Sequence, residues 1–188
     1  MRVIAGEFKG RHLKAVPGSN TRPTSDKVKE SIFHMLGPFF EGGLCLDLFA
    51  GSGSLGIEAV SRGMDKVIFI EKSSAAIRMI HKNVEMLKIE SQCEIYRNDA
   101  FRALQILSKK NLQFDLIILD PPYDKGLYQK VIDYIAEKDL LQSKGKLYIE
   151  HRPEQKISYN IETFERLTEK KYNETISITI LQKKSRGK

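Results

Sequence analysis

Between Gly43 and His151 five short β-rich runs alternate with helical patterns, and that order admits few folds. The runs are GLCLDLF (43–49), KVIFIE (66–71), CEIYRND (93–99), FDLIILD (114–120) and KGKLYIEH (144–151). A strand that returns through a helix pairs parallel to its predecessor, because only a crossover connection can bring it back in the same direction. In the helical stretch after Glu71 the apolar residues Ile77, Ile80, Val84 and Leu87 recur at helical spacing and mark one buried face. The run LIIL (116–119) has no polar interruption, as expected of a central strand covered on both sides. The pattern predicts an α/β fold, a doubly wound and mostly parallel sheet with helices on both faces.

The two ends of the chain depart from this pattern. TFERLTEKKY and ETISITILQKK flank Asn173 and read as an antiparallel hairpin pairing at the sheet edge. At the other end RVIAGEF and RHLKAV flank Lys9-Gly10, which predicts a small β-hairpin bearing Arg2, Lys9, Arg11 and Lys14. A helix follows with Val28, Ile32, Met35 and Leu36 on one face and Thr24 or Ser25 as its N-cap. Residues 1–40 are thus expected to form a hairpin-and-helix extension packed on a domain spanning 41–188. No linker separates the two, and 188 residues suit one core with a small appendage.

The formal charge of +7 becomes informative once located. Residues 1–40 and 164–188 each carry seven Lys/Arg against three Asp/Glu, and the stretch between is nearly balanced. Basic peripheral segments suit a polyanion, since phosphate neutralisation with counterion release dominates nucleic-acid affinity. No apolar run approaches the ~18 residues that span a bilayer, and Met1 to Lys14 lack the apolar block of a signal peptide. The expected setting is therefore the cytoplasm, without a membrane.

Open parallel sheets bind ligands at the carboxyl ends of their strands. The first such end, Asp47-Leu-Phe-Ala-Gly51-Ser-Gly53-Ser-Leu-Gly56, is a glycine-rich turn from strand to helix whose Gly51 and Gly53 let a ligand approach the main chain. It fits a dinucleotide as well as S-adenosylmethionine. Glu71, ending the second strand 20 positions after Gly51, is placed to accept hydrogen bonds from ribose hydroxyls of either cofactor. Asp99, before Ala100, is placed to accept an adenine amino group, or to cap the helix beginning at Ala100.

The fourth strand end separates the alternatives. Asp120-Pro121-Pro122-Tyr123 follows LIIL directly, and its prolines end the strand and stiffen the loop. The exocyclic amine of a base is a poor nucleophile because its lone pair is delocalised into the ring. The Asp120 carboxylate and the Pro121 carbonyl are suited to accept its N–H groups and turn the lone pair toward a sulfonium methyl. Tyr123 is suited to stack on the base, worth ~1–3 kcal/mol in single-stranded recognition.

Together LDLFAGSGSLGIEA, FIEKS, NDA and DPPY resemble the successive motifs of class I S-adenosylmethionine-dependent amino-methyltransferases. RVIAGEFKGRHLKAVPG followed by TRPTSDKVKESIFHML narrows the resemblance to the bacterial RsmD-type family, which methylates N2 of a guanine in 16S ribosomal RNA. The resemblance runs from the N-terminus to the final hairpin. It implies a Rossmann-like methyltransferase sheet, with S-adenosylmethionine held by Asp47, Gly51, Gly53, Glu71, Asp99 and Ala100. It also implies that Arg22 to Thr24 lie over the cofactor site, that Asp120 to Tyr123 hold the amine, and that Arg2, Lys9, Arg11 and Lys14 grip the RNA. The expected partner is 16S ribosomal RNA within a partly or fully assembled small subunit, and the enzyme is expected to act as a monomer.

An adenine-N6 enzyme shares the DPPY segment, but only the two basic ends would be left to read its target. A nicotinamide dehydrogenase would leave DPPY unexplained, and an RNA-binding module without activity would leave both sites without purpose. A base C5 mechanism requires a cysteine nucleophile, and Cys45 and Cys93 fall in strands away from DPPY. His12, His34, His81 and His151 show no metal-ligand spacing, and no metal is expected, although His151 ends a strand and is placed near a pocket mouth.

Overall fold

The computed structural model describes residues 1–17, 26–121 and 127–185. They form two compact units, Met1–Ala100 and Phe101–Lys188.

In the first unit, α1 (Asp26–Leu36) precedes β1 (Leu44–Asp47), α2 (Ser54–Ser61), β2 (Lys66–Glu71), α3 (Ser74–Leu87) and β3 (Cys93–Arg97). The strands lie in the order β3-β2-β1, all parallel, with Leu46 opposite Ile68 and Phe69 opposite Ile95. Consecutive residues Val67, Ile68, Phe69 and Ile70 are all buried, so both faces of β2 are covered. The Ser73 side chain caps α3 by accepting the Ala76 amide at 3.4 Å. The expected apolar face of α3 is present, but Ile77 is only half-buried and the polar Asn83 is fully enclosed.

Gly56 shows how closely α2 lies on β2. A Cβ built there would stand 2.3 Å from Phe69 Cε1 and 2.9 Å from Val67 Cγ2. Alanine in a helix interior gains about 1 kcal/mol over glycine, whereas overpacking a tight core costs about 1–3 kcal/mol. The ring of Phe69 is fully buried and has nowhere to turn, so the clash should win. Gly56→Ala is expected to lower the urea midpoint; an unchanged or raised midpoint would show that the helix relaxes away from the strand.

The expected N-terminal hairpin is present only as a single antiparallel bridge rather than two paired strands. Arg2 and His12 form an isolated bridge, and the chain between them turns through Gly6 and Gly10. Val3 N–H still donates to the Arg11 carbonyl and Leu13 N–H to the Met1 carbonyl, each at 2.9 Å, but other amides of the segment are bonded to α2. Ile4 and Ala5 donate to Glu58 at 2.9 and 3.0 Å, and Phe8 donates to Ser61 Oγ at 3.0 Å. The buried face of α1 is also displaced: Lys29 and Phe33 are buried with Ile32 and Leu36, while Val28 and Met35 are half-buried. Lys29 turns inward because its Nζ finds Glu58 at 3.3 Å, the Arg2 carbonyl at 2.6 Å and Ser54 Oγ at 3.1 Å. Thr24 and Ser25, the expected caps, lie outside the described residues.

The second unit contains β4 (Phe114–Leu119), α5 (Leu127–Glu137), β5 (Leu141–His151), β6 (Phe164–Lys171) and β7 (Ser177–Lys183), and α4 (Ala100–Lys109) leads into it. The strand order is β4-β5-β7-β6, the first pair parallel and the others antiparallel. Leu116 to Leu119 are buried without a break. The hairpin turns at Asn173, whose Oδ1 accepts the Thr175 and Ile176 amides at 2.8 and 2.9 Å. Its inner strand β7 pairs with β5, which leaves β6 at the end of the order. Among the described residues no helix is long and apolar enough to cross a membrane.

Candidate functional site

Three strand ends of the first unit are joined by hydrogen bonds. After β1 the chain turns through Gly51 (φ 55°) and Gly53 (φ 82°), left-handed conformations that favour glycine. The turn is fixed to β2 by the Ala50 amide on the Ile70 carbonyl at 3.1 Å. Glu71, at the end of β2, accepts the Gly51 amide on Oε2 at 2.9 Å and the Ser73 amide on Oε1 at 2.7 Å. The Asn98 amide, just past β3, donates to the Glu71 carbonyl at 3.1 Å, and Asn98 Oδ1 accepts the Asp99 amide at 2.9 Å. Asp99 is exposed and immediately precedes α4, whose first residue, Ala100, is buried.

The glycines also keep space clear. Among the described residues a Cβ at Gly51 would meet nothing within 4 Å, so the main chain of the turn borders open room. Gly53 begins α2 without a side-chain cap. Each Glu71 oxygen, though engaged by one amide, retains acceptor capacity for a hydroxyl.

Asp47 lies beneath this turn, almost fully buried, and its Oδ2 accepts the Gly56 amide at 3.1 Å. Burial pushes its carboxyl up to about 7; the Gly56 amide opposes the rise and the charge of Glu71 adds to it. The native state therefore binds a proton that the unfolded chain has shed, and the stability this contributes is full below the ordinary value of 3.8 and is lost as pH rises to about 7. Asp47→Asn removes that dependence. Relative to the wild type, the variant should gain stability between pH 4 and 8, on the order of 4 kcal/mol across the window, read from urea denaturation at both ends. A difference independent of pH would contradict the burial of this charge.

In the second unit Asp120 is half-buried and Pro121 buried, directly after β4. Pro122 and Tyr123 lie outside the described residues, as do Arg22 and Thr24. The neighbouring strand adds two residues that sequence reasoning missed. Tyr148, opposite Ile118, donates its hydroxyl to Glu150 at 2.8 Å, and both are buried. Burial, followed by the charges of Glu150 and Asp120, holds the Tyr148 hydroxyl far above its ordinary range. Burial also pushes Glu150 up, against the hydrogen bond from Tyr148. Tyr148 and Glu150, two positions apart, share one face of β5, and that polar pair flanking Ile149 in the buried half of the strand was the available signal.

Arg2, Lys9, Arg11 and Lys14 are all exposed, and Arg2 Nε bonds Asp26 at 2.7 Å. Glu58, Asn83 and Ser61 anchor this segment and were also missed; each is a polar residue inside a helical stripe that is otherwise apolar. His151 is buried at the end of β5, with Nε2 2.9 Å from Thr179 Oγ1 and Nδ1 2.9 Å from the Arg152 carbonyl. Cys45 is buried in β1, and burial with the charge of Glu90 pushes the Cys93 thiol up to about 12, which makes it a poor nucleophile.

Residues 1–181 match the family model described as "Conserved hypothetical protein 95". A Bacillus subtilis protein named "Putative rRNA methyltransferase YlbH" is 50% identical over 80% of this chain and 82% of its own length. The Haemophilus influenzae "Ribosomal RNA small subunit methyltransferase D" is 37% identical over 80% of this chain and 78% of its own. The solved structure described as "Putative methyltransferase yhhF from Escherichia coli" matches with a TM-score of 0.84 at 30% identity, covering 99% of each chain. The fold is the expected Rossmann-like α/β arrangement, mostly parallel with a C-terminal antiparallel hairpin.

Proposed function

Because the chain belongs to the RsmD family, whose model is described as "Conserved hypothetical protein 95", we propose that it transfers a methyl group from S-adenosylmethionine to the exocyclic N2 amine of a guanine in 16S ribosomal RNA. The observation that carries this reading is the bond between Gly51 and Glu71: a bare glycine turn bordering open space, tied to the carboxylate that ends the next strand. Those residues fit the cofactor. Gly51 and Gly53 leave room for it against the main chain, Glu71 offers lone pairs to ribose hydroxyls, and Asp99 offers an exposed acceptor to an adenine amine. Asp47 supports the turn from below, Ala100 starts the adjoining helix, and Arg22 to Thr24 cover the cofactor.

When bound, the cofactor supplies an activated methyl on a sulfonium. The chain's own residues orient the acceptor. Asp120 and the Pro121 carbonyl accept the N–H groups of the amine, Pro122 stiffens the loop, and Tyr123 stacks on the base. Proton removal by a positioned base typically contributes ~10²–10⁴-fold, whereas orientation can supply ~7–11 kcal/mol, so alignment is the larger effect and Asp120 takes the departing proton as a second contribution. The target base must be unpaired or flipped out, at a cost of a few kcal/mol.

The segment 1–40 serves as the RNA-gripping extension of the 41–188 domain, and the enzyme works as a monomer in the cytoplasm on a partly or fully assembled subunit. Calorimetric titration with S-adenosylhomocysteine and, separately, with NAD tests the cofactor. Binding of the first alone is expected, and binding of NAD alone would restore the dehydrogenase reading. Equal methylation of protein-free RNA and assembled subunits would remove the subunit from the account.

A further inference from the structure

The exposed flank of α3 carries charge with no role so far. Asn83, fully buried on that helix, reaches two distant segments: its Oδ1 accepts the Lys14 amide at 2.8 Å, and its Nδ2 donates to the Lys14 and Ser52 carbonyls, each at 3.0 Å. The last basic residue of the N-terminal segment is thereby pinned on α3 at the point where the glycine-rich turn also rests.

At 3.6 residues per turn, Lys82 stands one step round from Asn83, on the side away from buried Ile80, Val84 and Leu87. Arg78 lies one turn earlier on the same flank. Both are exposed, as are Lys9, Arg11 and Lys14. Among the described residues no carboxylate forms an ion pair with any of these five, whereas Arg2 is paired with Asp26.

The other basic end of the chain is different. Arg166 pairs with Glu169, Lys171 with Glu174 at 3.0 Å, and Lys183 with Asp139 at 2.5 Å. Three basic residues at that end are thus paired within the protein. Lys9, Arg11 and Lys14 differ in that they are exposed, carry no ion pair among the described residues, and belong to a segment that Asn83 holds against the helix of Arg78 and Lys82.

We propose that Arg78 and Lys82 of α3 form, with Lys9, Arg11 and Lys14, one continuous surface that contacts the phosphate backbone of the RNA substrate. The inference rests on the RNA methyltransferase reading and assigns that site a second RNA-binding element. Asn83 is the joint of the surface, because it fixes the segment to the helix. The same helix begins at the Glu71–Ser73 contact, so phosphates held along it are placed relative to the glycine-rich turn.

The test is the salt dependence of binding to protein-free 16S ribosomal RNA for the wild type, the double variant Arg78→Gln/Lys82→Gln and the double variant Lys9→Gln/Arg11→Gln. Each phosphate contact contributes a slope of about −0.7 to −0.9 in log K against log salt. The α3 variant should therefore bind more weakly at low salt, with a slope shallower by about 1.4–1.8, while its affinity for S-adenosylhomocysteine is unchanged. An unchanged slope in the α3 variant, beside a shallower one in the Lys9/Arg11 variant, would overturn the assignment of α3 and leave the methyltransferase reading intact. Loss of RNA and S-adenosylhomocysteine binding together would also overturn it, by showing that the substitutions act through the fold. If the wild type binds only assembled small subunits, the same slopes are read there; failure to bind either the free RNA or the subunits would instead overturn the reading on which the inference rests.

Discussion

Asp120→Ala is expected to reduce methyl transfer by ~10²–10⁴-fold or more while leaving RNA affinity unchanged. The residue sits half-buried directly after β4, next to the buried Pro121. On the proposed mechanism, removing it deletes both an amine acceptor and the group that takes the proton. The proposed phosphate contacts lie on other residues, so affinity should not follow activity. Asp120→Asn separates the two contributions, since an amide oxygen still accepts an N–H but holds a proton poorly. It should fall between the wild type and Asp120→Ala. Single-turnover rates with saturating cofactor decide the matter, and full activity in Asp120→Ala would remove Asp120 from the mechanism.

The largest loss of stability is expected from Glu58→Ala. Glu58 is fully buried and accepts the Ile4 and Ala5 amides, Lys29 Nζ at 3.3 Å and Arg62 Nε at 2.8 Å. Burial already holds Lys29 below its ordinary value, and the Glu58 charge is the main influence opposing that. Without the carboxylate, two buried cations lose their counter-charge and two amides lose their acceptor. Breaking a buried pair in this way typically costs about 3–5 kcal/mol, a large share of the ~5–15 kcal/mol that keeps a domain folded. The loss should also be local, with amide exchange at Ile4 and Ala5 accelerating and protease cutting before Lys14. A loss below about 1 kcal/mol, or unchanged exchange at those amides, would show that the N-terminal segment is held by something else.

What the sequence disclosed and what it withheld differ in range. LIIL, KVIFIE and the glycine-rich turn declare themselves because their signals are local: apolar runs of strand length, and glycines where the backbone must take positive φ. The site residues Asp47, Gly51 and Glu71 could be named because each ends or follows such a run. The N-terminal hairpin is shorter than its sequence suggests because the amides of Ile4, Ala5 and Phe8 go to Glu58 and Ser61, more than fifty residues away. No local pattern reports such a partner. The same cause displaced the buried face of α1, where Lys29 reads as a surface residue until Glu58 is beside it. Asn83 was hidden in the same way, since a polar residue in an apolar stripe gains meaning only when Lys14 and Ser52 are brought to it. Tyr148 and Glu150 escaped notice because the strand pattern gives their face but not their shared hydrogen bond.

The central claim is the chemistry of the acceptor, and it is tested most directly by incubating the protein with radiolabelled S-adenosylmethionine and either unmodified small ribosomal subunits or duplex DNA, then identifying the labelled nucleoside. N2-methylguanosine in 16S ribosomal RNA is the predicted product. N6-methyladenine in DNA would keep the fold and the role of Asp120 but contradict the proposed substrate, and the absence of label from every substrate would contradict the assignment of a methyltransferase.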